Sequence, residues 1–239
     1  MQPLLVDKVY VVHVRSNKER ETHMINELGA KDIPFEFMND GDIPDLTQAL
    51  VDEYLSGEMS NKIGPEQSCA IKHLKIYEQM IENNVARALI LEDDVFLSDG
   101  FVETANQIIK EWRQIEDANQ ALINLEASAL NLVPNKERVE GKLVYPAKAG
   151  RCAGAYLMSL ELAKSIMEEV KKNGCHQPID WYHNHLANQG ILSHYWSHPA
   201  IVVQGSHSGQ MDSLIDHKKK GLFQQLLWKA GRWYKNKIQ

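Results

Sequence analysis

Residues Ala88–Ser98 read ALILEDDVFLS: four apolar residues, three consecutive acids, then a return to apolar residues. A short all-apolar run is the pattern of a strand buried on both faces, as in the parallel sheets of α/β proteins. Acids placed directly after such a strand stand at its carboxyl end, the edge of an open α/β sheet where ligands bind. Adjacent carboxylates repel one another and cost stability unless a cation compensates them. Mg2+ and Mn2+ take hard oxygen ligands and bridge carboxylates to substrate phosphates. The stretch therefore predicts a sheet edge suited to a divalent metal and a diphosphate. The same letters also suit a solvated turn with a helix-capping Asp, or a Mg2+-dependent phosphotransfer or phosphohydrolase site. The triplet alone does not name a reaction.

Working outward, KVYVVHV (Lys8–Val14) reads as another buried strand. Ser16 with Glu19 forms a capping box for a helix that carries Met24, Ile25 and Leu28 and stops at Gly29. Phe35–Met38 reads as a second strand, so the chain opens strand, helix, strand, the signature of an α/β domain. Asp40–Pro65 is turn-rich and reads as a long loop or short helical pieces. Glu66–Asn84 has a helical apolar stripe of Ala70, Leu74, Tyr77 and Ile81. After the acids, Phe101 to Trp112 repeats at helical spacing behind a cap at Ser98 or Asp99. Ala121–Leu125 and Cys152–Met158 read as strands, and Ser159 caps a helix that ends near Gly174. Glu140-Gly141 resembles a hairpin turn between Arg138-Val139 and Leu143–Tyr145, and Ile201–Gln204 reads as a last strand.

Composition bounds the rest. Of 239 residues, 44% are hydrophobic and 24% charged, an ordinary globular balance, and the net charge of −6 marks no nucleic-acid binder. Cys69, Cys152 and Cys175 are odd in number with no CxxC pair, which suggests reduced thiols rather than a disulfide scaffold or zinc framework. No run reaches the length of a membrane span, so a cytoplasmic protein is expected. The chain divides into one domain over residues 1–212 and a tail over 213–239. From Asp216 on, that tail sets seven Lys or Arg against the single acid Asp216, with Leu222, Phe223, Leu226, Leu227 and Trp233 at helical spacing. A basic helix with an apolar face lies in an anionic membrane interface, which predicts peripheral attachment to the inner face of a bacterial inner membrane.

The run GPEQSCAIKHLKIYEQMIENNVARALILEDDVFLS (Gly64–Ser98) resembles the signature of glycosyltransferase family 25, which includes lipopolysaccharide and lipooligosaccharide galactosyltransferases. The matching places are Glu66 opening a helix, His73-Leu74 within it, and Glu92-Asp93-Asp94-Val95 after the strand. KVYVVHVRSNKER looks like the family's opening strand and the arginine-bearing loop that follows it, so Arg15 and Arg20 carry over. CAGAYLMS is similar to its G-x-x-A-Y-x-I-S segment, and PID (Pro178–Asp180) to its P-x-D element. The chain departs from the family where His13 replaces a strand Asn and Lys72 replaces a Ser. His13 is expected to bear on donor preference, and Lys72 to point to solvent.

The resemblance implies a GT-A-like, Rossmann-type mixed sheet flanked by helices, with the basic amphipathic helix at its C-terminus. It further implies an inverting transfer of galactose or glucose from a UDP-sugar to a surface glycan such as lipopolysaccharide, with Mn2+ or Mg2+. Asp94, Asp93 and the late His207 are the metal candidates. His13, Arg15, Arg20, Glu66, His73, Glu92 and Asp93 are the donor-site candidates. Asp180, beside Trp181 as a sugar-stacking face, is the candidate base, with Glu126 after the ALINL strand as its rival. The other reading is a catalytically silent relative that binds glycan or scaffolds a partner.

Overall fold

The computed structural model describes residues 2–127 and 129–211, together with Leu214 and Trp228. The basic tail and the boundary drawn before it lie outside the described residues, those two apart. β1 (Lys8–Val12) runs through α1 (Lys18–Gly29) to β2 (Glu36–Met38), and α2 (Gln48–Tyr54) and α3 (Pro65–Glu82) return the chain to β3 (Arg87–Glu92). Then come β4 (Val95–Leu97), α4 (Phe101–Trp112), β5 (Ala121–Asn124), β6 (Val144–Ala147) and β7 (Ala155–Ser159). The order closes with α5 (Leu160–Asn173), α6 (Ile179–Asn188), β8 (Ser193–Ser197), β9 (Val202–Gln204) and α7 (Gly205–Ser208).

Seven strands form one mixed sheet in the order β2-β1-β3-β7-β5-β8-β6, while β4 and β9 pair apart from it. β1 is parallel to β2 and β3, and β5 to β8; the other neighbours are antiparallel. The central strands β1, β3 and β7 are largely apolar because both faces are covered. In β3, Ala88 and Ile90 join the core under α3 and α5, while Leu89 and Leu91 join the one under α1 and α4. Tyr10 and Val12 of β1 divide from Val9 and Val11 in the same way. Burying each large apolar side chain contributes about 1.5–3 kcal/mol, so this two-sided burial is the main stabilising element.

Several local expectations give way to the tertiary structure. Asn17, not Ser16, caps α1 by accepting from the Arg20 N–H, so the Ser16–Glu19 box does not form. α4 starts at Gly100, at φ +66°, with no side-chain cap from Ser98 or Asp99. The turn at Gly141 makes no hairpin, since β6 pairs with β8 rather than with Arg138-Val139. β9 pairs with β4 instead of closing the main sheet. Asp40–Pro65 contains α2, which Thr47 caps through the Leu50 N–H. Ser159 caps α5 as expected, and Gly174 ends it.

Trp112 is fully buried at the end of α4, its indole N–H donating to the Ala118 carbonyl at 2.8 Å. Trp112→Ala is expected to cost about 3–5 kcal/mol in urea unfolding. A loss under about 1 kcal/mol would show that α4 does not anchor its face of the sheet.

Candidate functional site

From β1 the chain steps to β2 on one side, then returns through α2 and α3 to β3 on the other side. The carboxyl ends of β1 and β3 therefore flank a topological switch point, where open α/β sheets bind ligands. Register decides which residues meet there. Val12 stands opposite Glu92, so the next residues, His13 and Asp93, are neighbours beyond the last paired position. His13 Nδ1 lies 2.8 Å from Asp93 Oδ2, and Arg20 from α1 donates Nη1–H to Asp93 Oδ1. On the far side, Val95 pairs with Gln204, which sets Gly205 against Asp94. The Gly205 N–H donates to the Asp94 carbonyl at 2.6 Å, and a Cβ at position 205 would fall 3.0 Å from that oxygen.

The three acids thus have three different environments. Burial alone would raise the Asp93 carboxyl, yet His13 and Arg20 hold it below its usual range. Asp94 accepts from the Ser206 N–H at 3.0 Å through Oδ2, while its buried Oδ1 has no hydrogen-bond partner. Glu92 accepts from Gln204 Nε2–H at 2.7 Å. Burial, then the charges of Asp94 and Asp93, push the Glu92 carboxyl up to about 8. A buried carboxylate oxygen left open among further acids fits a hard divalent cation, and Asp94 is the residue that would hold it. His207, on α7 directly after Ser206, lines the same cavity.

That cavity measures about 1110 Å³. It brings together His13, Arg15, Arg20, Glu66 and all three acids of the triplet, and across from them Asp180 and Trp181 of α6. Burial raises the Asp180 carboxyl above its usual range, although it accepts from the Trp181 N–H at 3.0 Å. Trp181 is 64% exposed, a large aromatic face at the cavity edge. Glu66 is tied to Lys62 at 2.9 Å.

Three expectations are corrected here. Lys72 does not point to solvent: it is 1% exposed and donates to the His13 carbonyl and to Asp42. Asp42 also accepts from Arg15 N–H and Nε–H at 3.1 and 3.2 Å, so Lys72 and Arg15 together bind the loop after β2 to the end of β1. His73 does not line the cavity; it is fully buried, with Nδ1 2.7 Å from the Tyr156 hydroxyl. Glu126 is fully buried and bridges in the backbone to Val202, outside the cavity wall, where it cannot reach an acceptor. Asp42 and Gln204 were missed, because one sits in a turn-rich loop and the other in a strand read as structural. Only the register of β4 with β9 brings Gln204 to Glu92.

An unfolded Glu ionises near 4.5 and the folded Glu92 near 8, so in this interval the folded chain binds the extra proton. Stability from this group is full below the lower value and is lost as pH rises through the upper one. In metal-free protein, Glu92→Gln is therefore expected to gain stability over the wild type progressively from about pH 5 to pH 8, followed by thermal melting. A constant difference across that range would refute the buried acidic cluster.

Residues 6–182 match the sequence pattern of glycosyltransferase family 25 (LPS biosynthesis protein). The chain is 30% identical over 233 residues to a lacto-N-neotetraose biosynthesis glycosyltransferase, LgtB, of Neisseria meningitidis, covering 88% of this chain and 81% of that one. It is 26% identical over 171 residues to its counterpart LgtE of Neisseria gonorrhoeae, covering 66% of this chain and 59% of the other. A Bos taurus protein named probable inactive glycosyltransferase 25 family member 3 is 23% identical, covering 88% of this chain and 38% of the other. Two Haemophilus influenzae relatives are longer as well, the chain spanning 59% of one and 62% of the other. The match covers β1 through the start of α6, and with it every residue of the switch-point site except the β9–α7 turn: the chain belongs to glycosyltransferase family 25.

Proposed function

We propose that this protein is an inverting glycosyltransferase that moves galactose or glucose from a UDP-sugar to a glycan acceptor of the lipopolysaccharide or lipooligosaccharide type. The observation that carries the proposal is the open Asp94 Oδ1, buried at the switch point of a cavity large enough for a nucleotide sugar and part of an acceptor. Asp94 and His207 would hold Mn2+ or Mg2+, which when bound neutralises charge on the departing diphosphate. Arg15, half-exposed at the cavity, pairs through Nε with Asp42 and through Nη2 with Asp45, and offers Nη1 to phosphate oxygens. Arg20 is committed to Asp93 and serves by orienting the triplet.

Asp180 is the group placed to take the proton of the acceptor hydroxyl. Burial makes its carboxylate a stronger base than an exposed one, which suits proton abstraction near neutral pH. Trp181 offers a face on which an acceptor sugar ring stacks beside that base. The silent-relative reading draws on one observation: both oxygens of Asp93 are already engaged by Arg20 and His13, so that acid is not free for a metal.

Titrating UDP with Mn2+ separates the two readings. The wild type is expected to bind UDP only with the metal, and Asp94→Ala to lose that binding. Metal-independent or absent UDP binding by the wild type ends the transferase proposal. With a UDP-hexose and an oligosaccharide acceptor, Asp180→Asn is expected to lower kcat by about 10²–10⁴ while the donor KM changes little. A kcat within threefold of the wild type would move the base elsewhere.

The basic tail bears on where the enzyme works. We propose that residues 216–239 attach it to an anionic membrane surface beside lipid-linked acceptors, from their charge and apolar spacing alone. Sedimentation with phosphatidylglycerol vesicles is expected to drop when residues 216–239 are removed; equal sedimentation of both chains rejects the attachment.

A further inference from the structure

Beneath the triplet, three side chains of unlike chemistry converge where the proposed transfer needs none of them as a group. Cys69 and His73 lie one turn apart on α3, so both face the end of β3, where Glu92 stands. One ligand atom from each, a thiol sulfur, an imidazole nitrogen and a carboxylate oxygen, lies within 4.8 Å of the others. His73 Nε2 is fully buried and has no hydrogen-bond partner. Its nearest carboxylate oxygen, Glu92 Oε1, is 3.8 Å away, too far for a hydrogen bond. An imidazole nitrogen and a carboxylate oxygen on a tetrahedral Zn2+ stand roughly 3.3–3.4 Å apart and a sulfur about 3.5–3.6 Å from either, so closing the site takes side-chain shifts of about half to one ångström.

The imidazole is also held in the orientation a metal needs. Its Nδ1 meets the Tyr156 hydroxyl at 2.7 Å, Tyr156 meets the Tyr77 hydroxyl at 2.6 Å, and Tyr77 meets His183 Nε2 at 2.8 Å. Run from His73 outward, with Nδ1–H donating to Tyr156, this chain leaves the Nε2 lone pair facing Cys69 and Glu92. A metal-bound histidine is commonly fixed through its far nitrogen in this way.

We propose that Cys69, His73 and Glu92 form a Zn2+ site in the cavity floor, distinct from the hard-cation position at Asp94. One sulfur, one nitrogen and one oxygen ligand select zinc over Mg2+ or Mn2+, which favour oxygen alone. Cys69 and Glu92 line the cavity, so the fourth position of a tetrahedral ion opens into it. Zinc would take Glu92 through Oε1, which leaves Oε2 in its bond with Gln204.

The test uses the full chain under reducing conditions, with ZnCl2 followed by calorimetry and CoCl2 by absorption. One equivalent of Zn2+ is expected to bind, and Co2+ to give a thiolate-to-metal charge-transfer band. Cys69→Ser should abolish the band and weaken zinc binding more than about 10-fold. Tyr156→Phe, which removes the hydroxyl bonded to the far nitrogen of His73 and to Tyr77 and leaves the three ligands unchanged, should weaken it about 10-fold. Thermal melting confirms that each variant is folded; if Tyr156→Phe is not, Glu92→Gln takes its place. Asp94→Asn should keep the band and the zinc affinity while losing Mn2+-dependent UDP binding, so the two sites fail independently. Absence of stoichiometric zinc binding, a band that survives Cys69→Ser, or zinc binding lost with Asp94→Asn would overturn the site.

Discussion

Asp93 is a buried carboxylate held between a guanidinium from α1 and an imidazole from the end of β1. A charge in that position is tolerable only because it is paired on both sides; removing one partner of such a pair typically costs about 3–5 kcal/mol. The pairing joins three separate pieces of chain at the point where the sheet changes direction. It also decides how the triplet divides its work. With Asp93 satisfied internally, the unmet negative charge falls on Glu92 and Asp94, which face the cavity. Burial and the neighbouring charges push the Glu92 carboxyl up, and Asp94 is left with an open oxygen.

Lys72 plays a parallel role one layer away. A buried ammonium needs acceptors, and it finds them in the His13 carbonyl and the Asp42 carboxylate. Burial alone would raise the Asp42 carboxyl, but Lys72 and Arg15 hold it below its usual range. The loop after β2, turn-rich as a sequence, is thereby tied against the β1 side of the cavity. His13 consequently connects both networks, with its ring on Asp93 and its carbonyl on Lys72. A Ser at 72 could not span the distance a Lys covers to the His13 carbonyl and to Asp42.

The family relationship and the geometry constrain each other. LgtB and LgtE are named for lacto-N-neotetraose biosynthesis, and the bovine relative is named as inactive, so membership alone leaves activity open. The local features that bear on activity are an acid with an unused oxygen and a raised carboxyl beside an exposed tryptophan in the same cavity. Both are features of the folded chain and neither follows from similarity.

From the sequence itself came the α/β class, the two-sided burial of β1 and β3, the helix over α3 and the position of the triplet at a strand end. These are legible because hydrophobic periodicity is local and a buried strand has to be apolar on both faces. The Ser159 cap was readable for the same reason, since a cap needs only its own next turn. The tertiary structure alone decided the rest. That Asp93 is internal while Asp94 is open depends on strand register, Val12 against Glu92 and Val95 against Gln204, which no spacing within one segment encodes. Whether Lys72 meets solvent or Asp42 depends on where a loop 30 residues earlier folds back. Glu126 and Asp180 are both acids after apolar residues, yet one is sealed behind β5 and the other lines the cavity from the first turn of α6. Local preferences act over one turn or one strand, whereas charges are judged by what the whole fold places beside them.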